Sequence, residues 1–260
     1  MPRENPNGDR LQNPAKFFYS WSSDDGCFKY YDKETKKNVS VEVTAKKPFV
    51  FLPLDVLSTV KGYCEADKSG YTANEVRDIT KDILTVNTWS NGKSNLKASG
   101  IWSNIKDKIK AGGGKFSVSI YAAMKSSDGF DIVNIQMYGA ALNAWIDHAK
   151  ENNIYESAIA IRKSEEKKKG KIVWTVPVLE KLDVTQKTDD AAGELQKELK
   201  VYHTAYFAKN ASSVPQTAQE ETKSEPAKET KSGRSSKKEE PEEEQAMDID
   251  LGEDIDEVPW

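Results

Sequence analysis

Aromatic side chains and lysines stand close together at several places in the sequence. In the segment of residues 28–31, a strand would place Phe28 and Tyr30 on one face and Lys29 and Tyr31 on the other. Flat rings can stack on nucleobases and lysines can neutralise phosphates, which is the chemistry of sequence-tolerant single-strand binding. The residues that we expect to make such contacts are Lys29, Tyr30, Tyr63, Tyr71, Arg77, Trp89, Lys93, Lys97, Lys115 and Tyr121.

The same rings could instead belong to a hydrophobic core, because cores bury large aromatic side chains. Trp102 and Trp145 lie on the apolar faces of predicted helices, so we expect both in the core. Exposure is favoured for the rings that come close to polar turns, namely Tyr30, Tyr63, Tyr71 and Trp89. The binding hypothesis therefore depends on the set of residues rather than on any one of them.

Catalytic and metal-binding patterns are weak in this sequence. The tripeptide Gly92-Lys93-Ser94 resembles the end of a phosphate-binding loop, but Asn87 stands where that loop requires a glycine. The two histidines and two cysteines are far apart and have no metal-ligand spacing. We therefore expect no enzyme activity, no metal and no cofactor.

Apolar periodicity predicts a body made mainly of short strands. The predicted strands cover residues 16–21, 27–31, 39–43, 48–54, 59–63, 71–76, 83–89, 116–124, 132–138, 158–163 and 172–182. Helical spacing predicts helices at residues 101–111, 142–149 and 195–206. Pro53 is expected to mark the edge or end of its strand, and Asn91-Gly92 a hairpin turn. A very basic hairpin tip, residues 167–171, lies beside Trp174. The pattern predicts an α+β fold, mainly β with added helices, built as a barrel or sandwich.

Charge and composition divide the chain into four parts. Residues 211–260 hold fifteen acidic and six basic side chains, a net charge of −9, which leaves +5 for residues 1–210. A mildly basic body suggests a polyanionic partner. We predict a flexible arm at residues 1–14, a folded domain at 15–210, a disordered linker at 211–238 and an acidic tail at 239–260. No signal peptide or apolar span of membrane length is visible, and the isolated thiols suit the cytoplasm.

The acidic tail ends in an aromatic residue beside the terminal carboxylate. A partner protein could take the indole in a pocket and bind the carboxylate with backbone donors or a basic side chain. The residues expected to bind that partner are Asp254, Ile255, Asp256, Val258, Pro259 and Trp260. The alternatives are a purely solvating acidic tail, or a protein-interaction scaffold in which the tail is the main functional element.

Several longer segments resemble a family of single-stranded DNA-binding proteins of tailed bacteriophages. The likeness covers roughly residues 12–208 and includes Pro48-Phe49-x-Phe51-Leu52-x-Leu54-Asp55, Ser69-Gly70-Tyr71-x-x-Asn74-Glu75-Val76-Arg77 and Gly139-Ala140-Ala141-Leu142-x-x-Trp145. The resemblance implies an OB-like antiparallel β-barrel that coats DNA during phage replication, recombination or repair in the infected bacterial cell. The tail is similar in design to that of bacterial single-strand binding proteins, although Trp260 replaces the terminal phenylalanine.

Overall fold

Strands dominate the computed structural model, which describes residues 11–212. The strands in chain order are β1 Phe18–Ser22, β2 Cys27–Asp32, β3 Lys37–Val41, β4 Phe49–Cys64, β5 Ser69–Gly70, β6 Thr72–Ala73, β7 Leu84–Ser90, β8 Lys93–Gly100, β9 Gly114–Ser126, β10 Gly129–Tyr138, β11 Ala158–Lys169 and β12 Ile172–Leu182. The helices are α1 Trp102–Ala111, α2 Ala140–Glu151 and α3 Gln186–Ser212. The α+β class and the three predicted helices are confirmed. No helix in the described part of the chain is long and apolar enough to cross a membrane.

Two sheets contain all of these strands. The larger sheet has the order β12-β11-β4-β9-β10-β1-β2-β3, and β5 adds to the end of β4. Within it, β1 runs parallel to β10, whereas the other neighbours are antiparallel. The smaller sheet has the order β6-β7-β8. Strands that are distant in sequence, such as β4 and β9, therefore lie side by side.

The larger sheet is open, so the closed barrel that we expected is not formed. Its end strands in the described chain, β3 and β12, do not pair with each other. The sheet instead curls until β12 meets the turn between β1 and β2. There the Thr175 N–H donates to the Ser23 carbonyl at 2.8 Å, and the Trp21 indole N–H donates to the Thr175 carbonyl at 3.1 Å. A turn presents only a few backbone groups to a strand, so these contacts cannot extend into a ladder.

Pro53 does not end its strand as predicted. The two strands expected at residues 48–54 and 59–63 form one strand, β4, with an irregularity in its pairing between Pro53 and Asp55. A bulge removes the need for a ladder hydrogen bond from the proline nitrogen, which lets the strand continue.

The polar segment that forms β8 was not predicted as a strand. It pairs with β7 across a turn at Asn91 and Gly92, whose φ values of 54° and 73° suit a two-residue hairpin. That turn is confirmed. Residues 71–76, expected as a full strand, contribute only β6 and a bridge from Val76 to Ser58.

The main hydrophobic core fills one face of the larger sheet. Trp102 of α1 and Trp145 of α2 are both buried there, as predicted. The Phe28 ring stacks on Phe49, with 4.0 Å between the ring centroids. Because side chains alternate along each strand, this core occupies every second position and leaves the other positions on the opposite face.

Helix α3 covers only part of that opposite face. Leu57 of β4, Tyr121 of β9 and Ile132 of β10 are buried in a second cluster with Ala192 and Leu199 of α3. Farther along the same strands Lys61, Lys115 and Gln136 keep accessible surface on this face, and no helix of the described chain lines the groove there.

The ends of the chain differ partly from the predicted domain limits. The predicted arm is described from residue 11, and Asn13 is held in place because its side-chain amide donates to the Tyr121 hydroxyl at 2.8 Å. Helix α3 runs two residues past the predicted end of the folded domain. Residues 213–260, with most of the predicted linker and the whole acidic tail, lie outside the described residues.

Gly62 allows β4 and β9 to approach closely, and its replacement should be costly. Its φ is 130°, and a Cβ atom there would lie 2.3 Å from the Gly113 carbonyl oxygen. Gly129 is a matched control because its φ is 135° but a Cβ atom would meet nothing within 4 Å. Both alanine variants carry backbone strain, and Gly62→Ala should lose a further 1–3 kcal/mol, roughly, from overpacking. Urea unfolding followed by circular dichroism measures both losses, and equal losses would contradict the prediction.

Candidate nucleic-acid interface

A groove of about 380 Å³ opens on the uncovered part of the larger sheet. It crosses the adjacent strands β4, β9, β10 and β1. Its lining residues are Ser20, Lys61, Gly62, Tyr63, Gly113, Lys115, Gln136 and Tyr138. The pairing register places Lys61 opposite Lys115 and Gln136 opposite Ser20, so these side chains share one face of the sheet.

Two lysines, Lys61 and Lys115, are cross-strand partners in this groove. Neither Lys61 nor Lys115 forms an ion pair with a described residue. Burial lowers the pKa of Lys61, and the charge of Glu75 opposes that effect only in part. Like charges directly opposite each other on neighbouring strands are destabilising. The arrangement therefore suits an anion that would sit between the two ammonium groups.

Aromatic rings flank the lysine pair. The Tyr63 side chain is 49% exposed, and Tyr138 is half-buried on the other side of the groove. Burial raises the pKa of Tyr138, so its hydroxyl stays neutral. Two further exposed rings on this face, Phe18 and Tyr31, lie nearer α3, on the rung of Asn134 and Tyr121, and do not line the groove. The rings that line the groove itself are therefore Tyr63 and Tyr138.

Lys29 lies on this face, whereas Tyr30 points the other way. Ser20 and Lys29 are cross-strand partners, and Lys29 also pairs with Asp25 at 2.5 Å. The Tyr30 ring instead packs edge-on against Phe17 and Tyr19, with centroid distances of 5.0 and 5.2 Å. The accessible ring of this strand is therefore Tyr31 rather than Tyr30.

Tyr71 and Tyr121 cannot stack on a base, which corrects two of the predicted contacts. Tyr71 is buried, and its hydroxyl donates to the Gly112 carbonyl at 2.9 Å. Tyr121 lies beneath α3 with no exposed surface, and its hydroxyl donates to the Glu75 carboxylate at 2.8 Å. Burial and the nearby carboxylate raise the pKa of Tyr121.

Arg77 and Lys97 already have partners within the protein. The Arg77 guanidinium binds both carboxylate oxygens of Asp55, at 2.9 and 2.6 Å, and lies over the Phe207 ring. Lys97 pairs with Asp67 at 2.5 Å, and this hydrogen bond lowers the pKa of Asp67. Neither residue lines the groove. Both residues therefore have structural contacts within the protein, and their predicted phosphate contacts stay a prediction.

Trp89 and Lys93 belong to the β7–β8 hairpin and do not line the groove. The Trp89 ring is exposed, and its backbone N–H donates to the Ser69 hydroxyl at 3.1 Å. Leu96 is exposed at the diagonal position on the same hairpin face. Of the predicted residues, the groove itself contains Tyr63 and Lys115, and Lys29 lies beside it.

The groove also contains residues that sequence reasoning missed. Lys61 and Tyr138 were not selected because their importance depends on the register between strands that are distant in sequence. Phe18 and Tyr31, which do not line the groove, were visible as aromatic residues at alternating positions near lysines. The alternation at residues 28–31 placed Tyr31 on the same strand face as Lys29, and this was the sequence signal that could have identified Tyr31.

Metal sites are not apparent in the described part of the chain. His, Cys, Asp and Glu side chains form no group of three or more there that could hold a metal ion. Cys27 and Cys64 are buried and free. The predicted partner-binding residues at 254–260 lie outside the described residues. Comparisons with protein-family models, with curated proteins and with solved structures gave no match.

Proposed function

We propose that this protein binds single-stranded DNA along the uncovered face of its larger sheet. The observation that carries the proposal is the position of Lys61 and Lys115 in a groove that Tyr63 and Tyr138 also line. The two lysines are cross-strand neighbours, and neither has an ion-pair partner among the described residues. A phosphate placed between the two ammonium groups would remove their mutual repulsion. The adjacent nucleobases could then stack on the flanking rings.

The proposed binding mode does not depend on base sequence. Each base has a π face, so stacking on Tyr63 or Tyr138 tolerates any of the four bases. Phosphates repeat along the strand, so lysines can follow them without reading base edges. A duplex keeps its bases stacked inside the helix, so it cannot offer them to these rings. The interface therefore favours single strands over duplexes.

The biological setting is proposed on the resemblance to phage single-strand binding proteins. In that setting the protein coats DNA during phage replication, recombination or repair in the cytoplasm of the infected bacterium, without acting as an enzyme. The strongly curled sheet supports an OB-like relationship, with an open sheet in place of a closed barrel. The acidic tail would recruit replication or recombination proteins through Pro259 and Trp260.

Titration of a dye-labelled oligonucleotide of mixed sequence tests this function. Fluorescence anisotropy is measured with single-stranded and duplex forms at several salt concentrations. We expect far tighter binding of the single strand. The slope of log K against log salt should be about −1.4 or more negative, because two lysines each neutralise a phosphate. Equal affinity for both forms would contradict the proposal.

An interaction scaffold is the second candidate, favoured by the exposed apolar pair on the β7–β8 hairpin. Trp89 and Leu96 lie diagonally on one face and are both largely exposed. Exposed tryptophan and leucine together are typical of protein contact surfaces. If the oligonucleotide fails to bind even at low salt, this candidate replaces the first one.

A further inference from the structure

The β11–β12 hairpin extends beyond the larger sheet as a two-stranded ribbon. β11 pairs with β4 only from Ile159 to Ile161. A register shift between Ile161 and Ser164 follows, and from Ser164 to Lys169 the strand pairs with β12 alone among the described strands. Bulges re-aim strands, so this shift separates the ribbon from β4 and directs it toward the turn between β1 and β2.

The tip of the ribbon, residues 165–171, carries four lysines against Glu165 and Glu166, a net charge of +2. Lys167, Lys168, Lys169 and Lys171 are all exposed. Lys167 pairs with Glu165 at 2.9 Å, whereas Lys168, Lys169 and Lys171 form no ion pair with a described residue. Three free ammonium groups within four residues create a local potential that attracts polyanions.

The ribbon is fixed midway along its length, at Thr175, to the turn between β1 and β2. The Thr175 backbone N–H and hydroxyl both donate to the Ser23 carbonyl, at 2.8 and 2.6 Å. The Trp21 indole N–H donates to the Thr175 carbonyl. An isolated two-stranded hairpin is only marginally stable in water, so these contacts hold the ribbon in a defined direction. They also tie it to β1, whose Ser20 lines the groove.

We propose that this ribbon is a second contact for the bound DNA strand, gripping its sugar–phosphate backbone outside the groove. The inference rests on the proposed function, because it assigns the ribbon to the same ligand. Flexible, exposed lysines suit phosphates, whereas Trp174, the nearest ring, is partly buried opposite Lys167. The contact therefore adds affinity through charge and no base preference.

Lysines on an edge strand have another known physical role, since they prevent unwanted pairing with other chains. β12 is an end strand of the sheet, and Ile172 and Val173 are exposed on it. A protective role predicts that loss of the lysines causes self-association. A backbone-binding role predicts a change in the salt dependence of DNA affinity. The two roles can therefore be separated by measurement.

The test neutralises the ribbon with the triple variant K168Q/K169Q/K171Q in the full-length protein. The control, K187Q/K200Q/K209Q, removes three exposed lysines from α3. With a labelled single strand, the ribbon variant should flatten the salt slope by about 2, since each lost phosphate contact accounts for roughly 0.7. The factor by which the ribbon variant binds more weakly than wild type should be about 20-fold larger at 50 mM than at 200 mM salt. The control variant should stay close to wild type at both concentrations.

Different outcomes separate the ribbon from the groove. If the wild type binds single strands but the ribbon variant keeps the slope of the control, the ribbon proposal is overturned and the proposed function stands. Self-association in analytical ultracentrifugation with an unchanged slope assigns the lysines to edge protection and also overturns it. A loss of affinity that is confined to duplex DNA would also overturn the ribbon proposal. If the wild type binds no single strand, both proposals fall together.

Discussion

Replacing both Lys61 and Lys115 with glutamine should weaken single-stranded DNA binding by roughly 100-fold or more at low salt, because each charge-assisted phosphate contact contributes about 1.5–3 kcal/mol and screening is weak there. The salt slope should flatten by about 1.4. The free protein should change little in stability, since neither ammonium group forms an ion pair with a described residue. Removing the like charges and losing the attraction between Lys61 and Glu75 oppose each other, so a change below about 1 kcal/mol is expected. Anisotropy titration and urea unfolding of the same preparation measure the two effects.

The aromatic part of the site should respond differently from the lysines. Tyr63→Ala should reduce affinity by roughly 5- to 100-fold, because stacking contributes about 1–3 kcal/mol per base, while the salt slope stays unchanged. Tyr155→Ala is the matched control: its side chain is 47% exposed, against 49% for Tyr63, and it lines a different pocket beside α3. The matched control for the lysine pair is K187Q/K200Q on α3. If each variant binds DNA as its control does, the groove is not the binding site.

Most elements of the fold could be predicted because their apolar periodicity is local. The spacing of Ile101, Ile105 and Ile109 was sufficient to identify α1. β8 escaped prediction because much of it is polar and exposed, and its strand geometry comes from pairing with β7. The continuation of β4 through Pro53 depends on a bulge that forms only against its neighbour.

The site was harder to predict because it depends on which strands become neighbours. Lys61 and Lys115 are 54 positions apart, and nothing in their local sequence shows that the register sets them opposite each other. Tyr121 lies on the same face of β9 as Lys115, but α3 covers that part of the strand. Residue type therefore gave the chemistry, and tertiary packing decided which of the candidate residues are accessible.

Asp55→Asn should lower the free energy of unfolding by about 2–3 kcal/mol at neutral pH, because it weakens the contacts that fasten α3 to the sheet. Asp55 accepts two hydrogen bonds from Arg77 and lies 2.7 Å from Nδ1 of His203, a buried residue of α3. An ionised carboxylate accepts, so Nδ1–H donates in this contact. Asparagine keeps the shape but removes the charge. Glu194→Gln, whose exposed carboxylate pairs with Lys197, is the control and should change stability by less than about 0.5 kcal/mol.

The effect of Asp55 should disappear in acid. Burial alone would raise its pKa, but the hydrogen bonds from His203 and Arg77 outweigh burial, so the pKa lies below its ordinary value. A depressed folded-state pKa stabilises the protein above the unfolded-state value of about 3.9, and that stabilisation is lost as the pH falls through the folded-state pKa. The stability difference between wild type and Asp55→Asn should therefore be full near pH 7 and shrink below about pH 4. A difference that stays constant down to acid pH would show that Asp55 acts through packing alone.

The same variant also tests whether α3 and the DNA groove are independent. α3 covers the part of the sheet that contains Tyr121, whereas Lys61 and Lys115 lie on the uncovered part. Hydrogen exchange should therefore show faster opening of the α3 amides in Asp55→Asn, with the amides of β4 and β9 near the groove still protected. Single-stranded DNA affinity should remain within about twofold of wild type under conditions where the variant is folded, since a free-energy change below about 0.4 kcal/mol corresponds to that limit. A larger loss of affinity would mean that the docking of α3 also shapes the groove.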